Sequence, residues 1–263
     1  MKSMDIRRAG TKILPVAFLA GILLVWEVCG RAGLLNPLFF PVPSYIFMTS
    51  LTMLAEGEIQ ANLSITLIRV FAGFLIGAVT GLVVGVCMGV SERVRLFIDP
   101  VIAATYPIPK LAIFPLLMII FGIGELSKIM VIAIGCFFII VINTMAGVRN
   151  INRVYFEVAK NYGASRFKVF SRVVIPASLP MIFTSIRLAI GMSLILVVGV
   201  EFLSANKGLG AMIWFAWETF EIQKLYVGIF ICALLGIFFT VVLKRLEEKA
   251  VPWFGYLAHQ DQE

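Results

Sequence analysis

The sequence predicts an all-α polytopic membrane protein, and two observations carry that prediction. Of 263 residues, 60% are apolar and only 14% are charged, against about a quarter charged in ordinary soluble domains. The apolar residues also fall in uninterrupted runs longer than soluble helices need, so lipid rather than water is the main solvent. The formal net charge of +7 could point to nucleic acid. The basic residues lie between the apolar runs and not on one amphipathic face, however, which is the pattern of topology-setting charge. No nucleic-acid partner is expected.

Six spans are expected in a single transmembrane domain covering residues 1–263. The first, residues 13–29, follows a basic start. Trp26, Glu27 and Val28 precede Cys29 where a cleavage site would need small residues, so the segment reads as an uncleaved signal anchor. The second, residues 67–90, carries Gly73, Gly77, Gly81, Gly85 and Gly89 at every fourth position, a stripe on which another helix's backbone can approach closely. The third, residues 97–121, holds Pro100, Pro107, Pro109 and Pro115 together with Lys110. Prolines at membrane depth free carbonyls, and broken helices with intramembrane charge often line solute pathways. Pro107, Pro109 and Lys110 are therefore pathway candidates.

The fourth span covers residues 129–148, and a polar, basic segment at 149–178 interrupts the pattern. The fifth, residues 181–203, ends near Glu201, a further pathway candidate whose plainer reading is a helix-end residue at the water boundary. Arg69 and Lys110 could draw an anion inward by charge. Residues 211–220, AMIWFAWETF, place Trp214 and Trp217 three apart and suit an interfacial helix. The sixth span covers residues 225–243. Sixteen of the twenty-two Lys and Arg fall in segments on the side of the termini, the exceptions being Arg31, Arg69, Lys110, Lys128, Lys207 and Lys224. Positive residues stay in the cytoplasm, so both termini and the 149–178 loop are expected there.

That loop is the most informative segment. Residues 157–176 read EVAKNYGASRFKVFSRVVIP, which predicts a short helix, a turn at Gly163 and a second basic helix stopped at Ile175-Pro176. Val158, Ala159 and Tyr162 share one face, and Phe167, Phe170 and Val174 another. A loop so patterned docks onto something. The plainer alternative is an amphipathic helix on the anionic leaflet, helped by Arg166, Lys168 and Arg172.

The loop resembles the EAA motif of ABC importer permeases: a glutamate, two small residues, a glycine six positions after the glutamate and a terminal hydrophobic-proline pair. Here these are Glu157, Ala159, Gly163 and Ile175-Pro176, with Val158 replacing the usual second alanine and Val173 a common isoleucine. In the family this loop forms the coupling helix that fits a groove on the ATPase. The resemblance implies that residues 157–167, including Ala164, Ser165, Arg166 and Phe167, are the mechanical link. It extends over nearly the whole chain. TLIRVFAGFLIGAVTGLVVGVCMG from Thr66, DP at Asp99, IPKLAIFPLL from Ile108, FGIGELSK from Phe121, KGLG at Lys207 and PWFG at Pro252 resemble the nitrate, sulfonate and taurine permease group. SANKGLG and the closing PW are most similar to taurine and aliphatic sulfonate permeases, although the group also carries bicarbonate and vitamin-precursor solutes.

The resemblance implies a type I ABC importer transmembrane fold in the bacterial cytoplasmic (inner) membrane. It also implies a second permease copy, as a homodimer or with a close paralogue, two cytoplasmic ATPase subunits that bind ATP and Mg, and a periplasmic or extracellular solute-binding protein. The chain itself has no G-x-x-x-x-G-K phosphate loop, so no cofactor is expected in it and ATP hydrolysis belongs to a partner. Cys29, Cys87, Cys136 and Cys232 lack C-x-x-C spacing, and His259 is the only histidine. The cysteines therefore read as small buried apolar residues, with neither a metal site nor a catalytic constellation. An ion-coupled secondary transporter or channel is the alternative. It would need buried acids, and within the spans only Glu201 qualifies, with Asp99 and Glu125 near the ends.

Overall fold

Apolar runs with internal glycine and proline leave a chain in lipid one economical way to satisfy its backbone, the α-helix. The computed structural model describes residues 2–252, and the side chains of residues 2–13, 15 and 16 are not among those described. Lys2, Arg7, Arg8, Lys12, the end of the PWFG motif and His259 thus lie outside the described side chains. The helices are α1 (Lys2–Arg31), α2 (Pro43–Ala55), α3 (Glu58–Val90), α4 (Glu92–Thr105), α5 (Phe114–Phe121), α6 (Glu125–Arg149), α7 (Arg153–Asn161), α8 (Arg166–Val169), α9 (Ile175–Ser204), α10 (Leu209–Glu218) and α11 (Ile222–Ala250). A 3-10 turn at Lys110–Ile113 precedes α5, and a π turn at Phe170–Val174 joins α8 to α9.

Among the described residues, α3, α6, the stretch from Arg166 to Ser204 and α11 are each long and apolar enough to cross a membrane. The α4–α5 pair makes a fifth if counted as one span, bent by 89°. The first expected span lies within α1. Side chains such as Leu75, Val83, Ile119, Leu234 and Ile237 are exposed. That much exposed apolar surface is costly in water and ordinary in lipid. Cys87, expected to be buried, is also exposed. Lipid removes the water that would have driven it inward.

The chain packs as two compact units, residues 1–61 with 212–231, and residues 62–211 with 232–263. In the first, α1 is tied to α2 through one carboxylate. Glu27 accepts from Arg31 Nε at 2.6 Å and from the backbone N–H of Ser44 at 3.0 Å, so an acid on α1 caps the start of α2. Pro43 supplies the preset first turn. Trp26 packs 5.4 Å from the Tyr226 ring, and the Tyr226 hydroxyl donates to the Phe39 carbonyl at 3.1 Å. Trp214 and Trp217 lie 4.9 Å apart, and the Trp214 indole donates to Glu218 at 2.9 Å.

In the second unit α6 is the central post. Its buried residues, including Ile132, Cys136 and Ile140, form a core with Val70 of α3, Phe114 of α5 and Ala189, Val197 and Val200 of α9. The glycine stripe of α3 faces α6. A Cβ at Gly73 would stand 2.6 Å from Ile132 Cβ, one at Gly85 2.8 Å from Thr144 Cβ, and one at Gly89 2.5 Å from Val148 Cβ. At Gly77 and Gly81 the obstruction includes the carbonyls of Ala133 and Phe137. Without side chains, α3 lies directly on the α6 backbone, gaining dispersion contacts where lipid offers no hydrophobic drive.

Two expectations change. The third expected span is not one continuous helix but two helices with a sharp bend between them. Pro107 and Pro109 deny amide donors at the bend, and the Lys110 ammonium supplies them instead. It donates to the carbonyls of Thr105 (3.3 Å), Tyr106 (2.7 Å) and Ile108 (2.9 Å), and lies 4.2 Å from the Phe138 ring centroid. The second basic helix, expected to stop at Ile175-Pro176, runs on into α9. The π turn makes this possible, with Ile175 N–H donating to the Phe170 carbonyl five residues back. This wider turn relieves the clash between the proline ring and the preceding turn.

Candidate functional site

Two constellations stand out in the second unit, at opposite ends of α6. One surrounds Arg149 and the loop that follows it, the other surrounds Glu125. The 25 residues of α6 separate them by roughly 36 Å.

The loop has an anchored base and an exposed tip. Val148, Ile151 and Val174 are buried together, with Val86, Phe170 and Val173 packed against them. Arg149 donates to Glu92 at 2.6 Å, tying the end of α6 to the start of α4. The Asn152 side chain accepts from Val154 N–H and caps α7. The α7 C-terminus closes as a Schellman turn, with Ala164 N–H on the Ala159 carbonyl (2.9 Å) and Gly163 N–H on the Lys160 carbonyl (3.0 Å). Gly163 sits at φ +66°, the left-handed position that turn requires. Ser165 then caps the next helix through Lys168 N–H.

Beyond this base nothing covers the tip within the described residues. Tyr155, Val158, Tyr162 and Phe167 are exposed, Tyr162 at 87% and Phe167 at 77%. Glu157, Ser165 and Arg166 are exposed as well, while Ala159 and Ala164 are half-buried. Ile175 is exposed and Pro176 half-buried at the return to α9. Large apolar side chains held out on a basic helix–turn–helix make an exposed apolar patch with no cover among the described residues.

The other constellation is a buried ion network. Glu201 has no exposed surface, and its carboxylate accepts from Arg69 Nη1 (2.7 Å), Thr66 Oγ1 (2.9 Å) and the backbone N–H of Gly210 (2.8 Å). Arg69 uses its remaining donors on Glu125, Nε at 2.5 Å and Nη2 at 2.7 Å, and on the Lys207 carbonyl at 2.7 Å. Asn62 accepts from Gly208 N–H, and Thr66 Oγ1 accepts from Leu209 N–H. The segment between α9 and α10 is therefore held on α3 by side chains one and two turns apart, Asn62, Thr66 and Arg69. Gly208 and Gly210 leave no Cβ in the way: one at either position would fall within 3.0 Å of Glu201.

These positions revise the expected pathway set in geometric terms. Glu201 is inside the chain's own packing and presents no surface to a solute. Lys110 is half-buried with its ammonium committed to three carbonyls, whereas Pro107 and Pro109 are exposed. The Arg69–Glu125–Glu201 cluster was not read from the sequence as a unit. The signals for it were the spacing of Asn62, Thr66 and Arg69 on one face of α3 and a lone acid in an apolar helix, which demands a cation.

Residues 73–252 match the family described as binding-protein-dependent transport system inner membrane component. A putative aliphatic sulfonates transport permease of Bacillus subtilis (strain 168) is 35% identical over 89% of this chain and 85% of its own length. The taurine transport system permease of Escherichia coli (strain K12) is 32% identical over 92% and 90%. A formylaminopyrimidine transport permease of Halalkalibacterium halodurans is 30% identical over 94% and 98%. Among solved structures, an inward-facing form of the MetNI methionine ABC transporter superposes with a TM-score of 0.65, at 17% identity, over 73% of this chain and 95% of that one.

Proposed function

The chain belongs to the family of binding-protein-dependent transport system inner membrane components, as an ABC importer permease for small solutes, and from that premise we propose that it forms half of an ATP-driven path for a small sulfonate such as taurine. Two copies would enclose the path, two ATPase subunits would dock below, and a soluble binding protein would deliver solute from outside. The termini and the 149–178 loop would face the cytoplasm, in line with the distribution of lysine and arginine.

The observation that carries this reading is the loop. A rigid base formed by Val148, Ile151 and Val174 holds out an apolar tip, and the tip bears Glu157 and Gly163 of the resemblance. Motion of an ATPase gripping that tip would pass through the π turn, without an intervening flexible segment, into α9 and so into the core around α6. The sulfonate assignment is supported by the relatives named for sulfonates and taurine. The pairing of Glu201 with Arg69 favours the ATP-driven reading over an ion-coupled one. A coupling carboxylate must give and take its ion, and this one is fully engaged by three donors.

The test is ATP hydrolysis by the complex reconstituted with its ATPase, with and without binding protein and candidate sulfonates. Solute-loaded binding protein should stimulate hydrolysis, and Glu157→Lys or Gly163→Arg should uncouple it. Transport by liposomes holding this chain alone, with no ATPase, would end the importer mechanism.

A further inference from the structure

We infer that the cleft beside Glu125 is a binding site for a small oxyanion of the sulfonate or carboxylate class, in which the Glu125 carboxylate is a resident competitor that the incoming anion displaces from Arg69 and Lys128. The inference rests on the small-anion reading above only for which anion would be delivered to it.

The geometry is that of an anion site already filled by a tethered anion. Arg69 and Lys128 have side chains only 4% and 6% exposed, yet both reach the carboxylate of Glu125, whose side chain is 58% exposed. Arg69 presents its Nε–Nη2 edge to the two oxygens of Glu125, and Lys128 Nζ adds a third contact at 3.2 Å. That bidentate edge suits any planar or trigonal set of oxyanion oxygens. The other edge of Arg69 is fixed by Glu201 and the Lys207 carbonyl, so the guanidinium cannot turn away when Glu125 leaves. Lys128 is likewise held by the Gly124 carbonyl at 3.3 Å.

Charge decides what enters. Arg69 and Lys128 balance Glu125 and Glu201 in the resting arrangement, and Lys207 adds a further positive charge to the lining of the cleft. When Glu125 swings out, the buried Arg69 and Lys128 are left with Glu201 alone, in a cleft lined by Ile65, Ile68 and Ile123 together with Ser204, Asn206 and Lys207, and the excess positive charge calls for an anion. An anion of matching charge restores the balance, and a neutral or cationic solute does not. The cleft is about 590 Å³, within the roughly 300–1,000 Å³ typical of small-ligand sites. The displaced carboxylate also has a favourable place to go, since it is exposed and stands in the first turn of α6, where the helix dipole stabilises an anion.

Binding of radiolabelled methanesulfonate to the assembled permease–ATPase complex in nanodiscs, without binding protein, tests this directly. A tethered competitor acts at millimolar or higher effective concentration, so Glu125→Gln should tighten methanesulfonate binding about tenfold or more. Lys128→Met should weaken it in either background, and neutral methanesulfonamide should bind none of the variants. If Glu125→Gln disrupts assembly, Glu125→Asp, with its shorter reach, should tighten binding about threefold. Unchanged affinity in the folded Glu125 variant, or equal binding of methanesulfonamide, overturns the site. ATP-driven uptake by the wild-type complex with its binding protein separates the two readings. Sulfonate uptake with no Glu125 effect removes the site and leaves the substrate reading. A Glu125 effect with uptake of a non-anionic solute supports the site and removes the substrate reading.

Discussion

Arg69 on α3 and Glu201 on α9 meet at 2.7 Å with side chains 4% and 0% exposed. Glu201 therefore depends on Arg69 to remain charged inside the protein, whereas Arg69 keeps a second carboxylate partner in Glu125. Removing Arg69 strands Glu201, at a cost of about 3–5 kcal/mol, whereas replacing both by apolar residues of similar volume is far milder. Arg69→Met should lower the midpoint of thermal unfolding in detergent sharply and Glu201→Leu less, because Arg69 keeps Glu125, and the double variant should recover much of the Arg69→Met loss. An additive double variant would show that the two do not act as a pair.

The α3–α6 contact gives a steric prediction. A valine at Gly85 would drive a Cβ to 2.8 Å from Thr144 Cβ and from the Val141 carbonyl, and such overpacking costs about 1–3 kcal/mol. A methyl group added at Gly236 on α11 would meet nothing within 4 Å, and there Ala should be neutral or stabilising by up to about 1 kcal/mol. Thermal unfolding of the two variants side by side checks this, and equal effects would remove the close-packing explanation for the stripe.

The stripe on α3 was legible because a spacing of four is itself the geometry of a helix face. The Gly163 turn was legible because a glycine ends a short amphipathic run. The passage through Ile175-Pro176 was not. Proline reads as a stop, and only a π turn, set by tertiary packing of Val174 with Val148 and Ile151, lets the helix continue. The 89° bend was only half legible. Four prolines announce a break, but its angle depends on Lys110 reaching back to three carbonyls. The ion network was hidden because Arg69 lies 56 positions from Glu125 and 132 from Glu201, and each alone looks like a boundary charge.

Gly163 at φ +66° sets a graded expectation for coupling. A side chain there costs about 1–2 kcal/mol, least for asparagine, which tolerates the left-handed region, and most for a β-branched residue. Gly163→Asn should keep most solute-stimulated ATP hydrolysis in the reconstituted complex, and Gly163→Val should lose most of it. If the two variants behave alike, the Schellman turn is not what positions the loop.

Lys110 separates a structural from a solute-contacting role. Its ammonium satisfies the carbonyls of Thr105, Tyr106 and Ile108 at the end of α4, and a cation is favoured at a helix C-terminus. Lys110→Met leaves those carbonyls without their charged donor, and each hydrogen bond to a charged group contributes about 1.5–3 kcal/mol. The expected outcome is a lower unfolding midpoint and a lower maximal uptake rate, with the solute concentration for half-maximal uptake unchanged. Lys110→Arg should restore much of the stability, because a guanidinium can serve the same carbonyls. A Lys110→Met complex with normal stability but a several-fold higher half-saturating solute concentration would instead put the ammonium in contact with the solute.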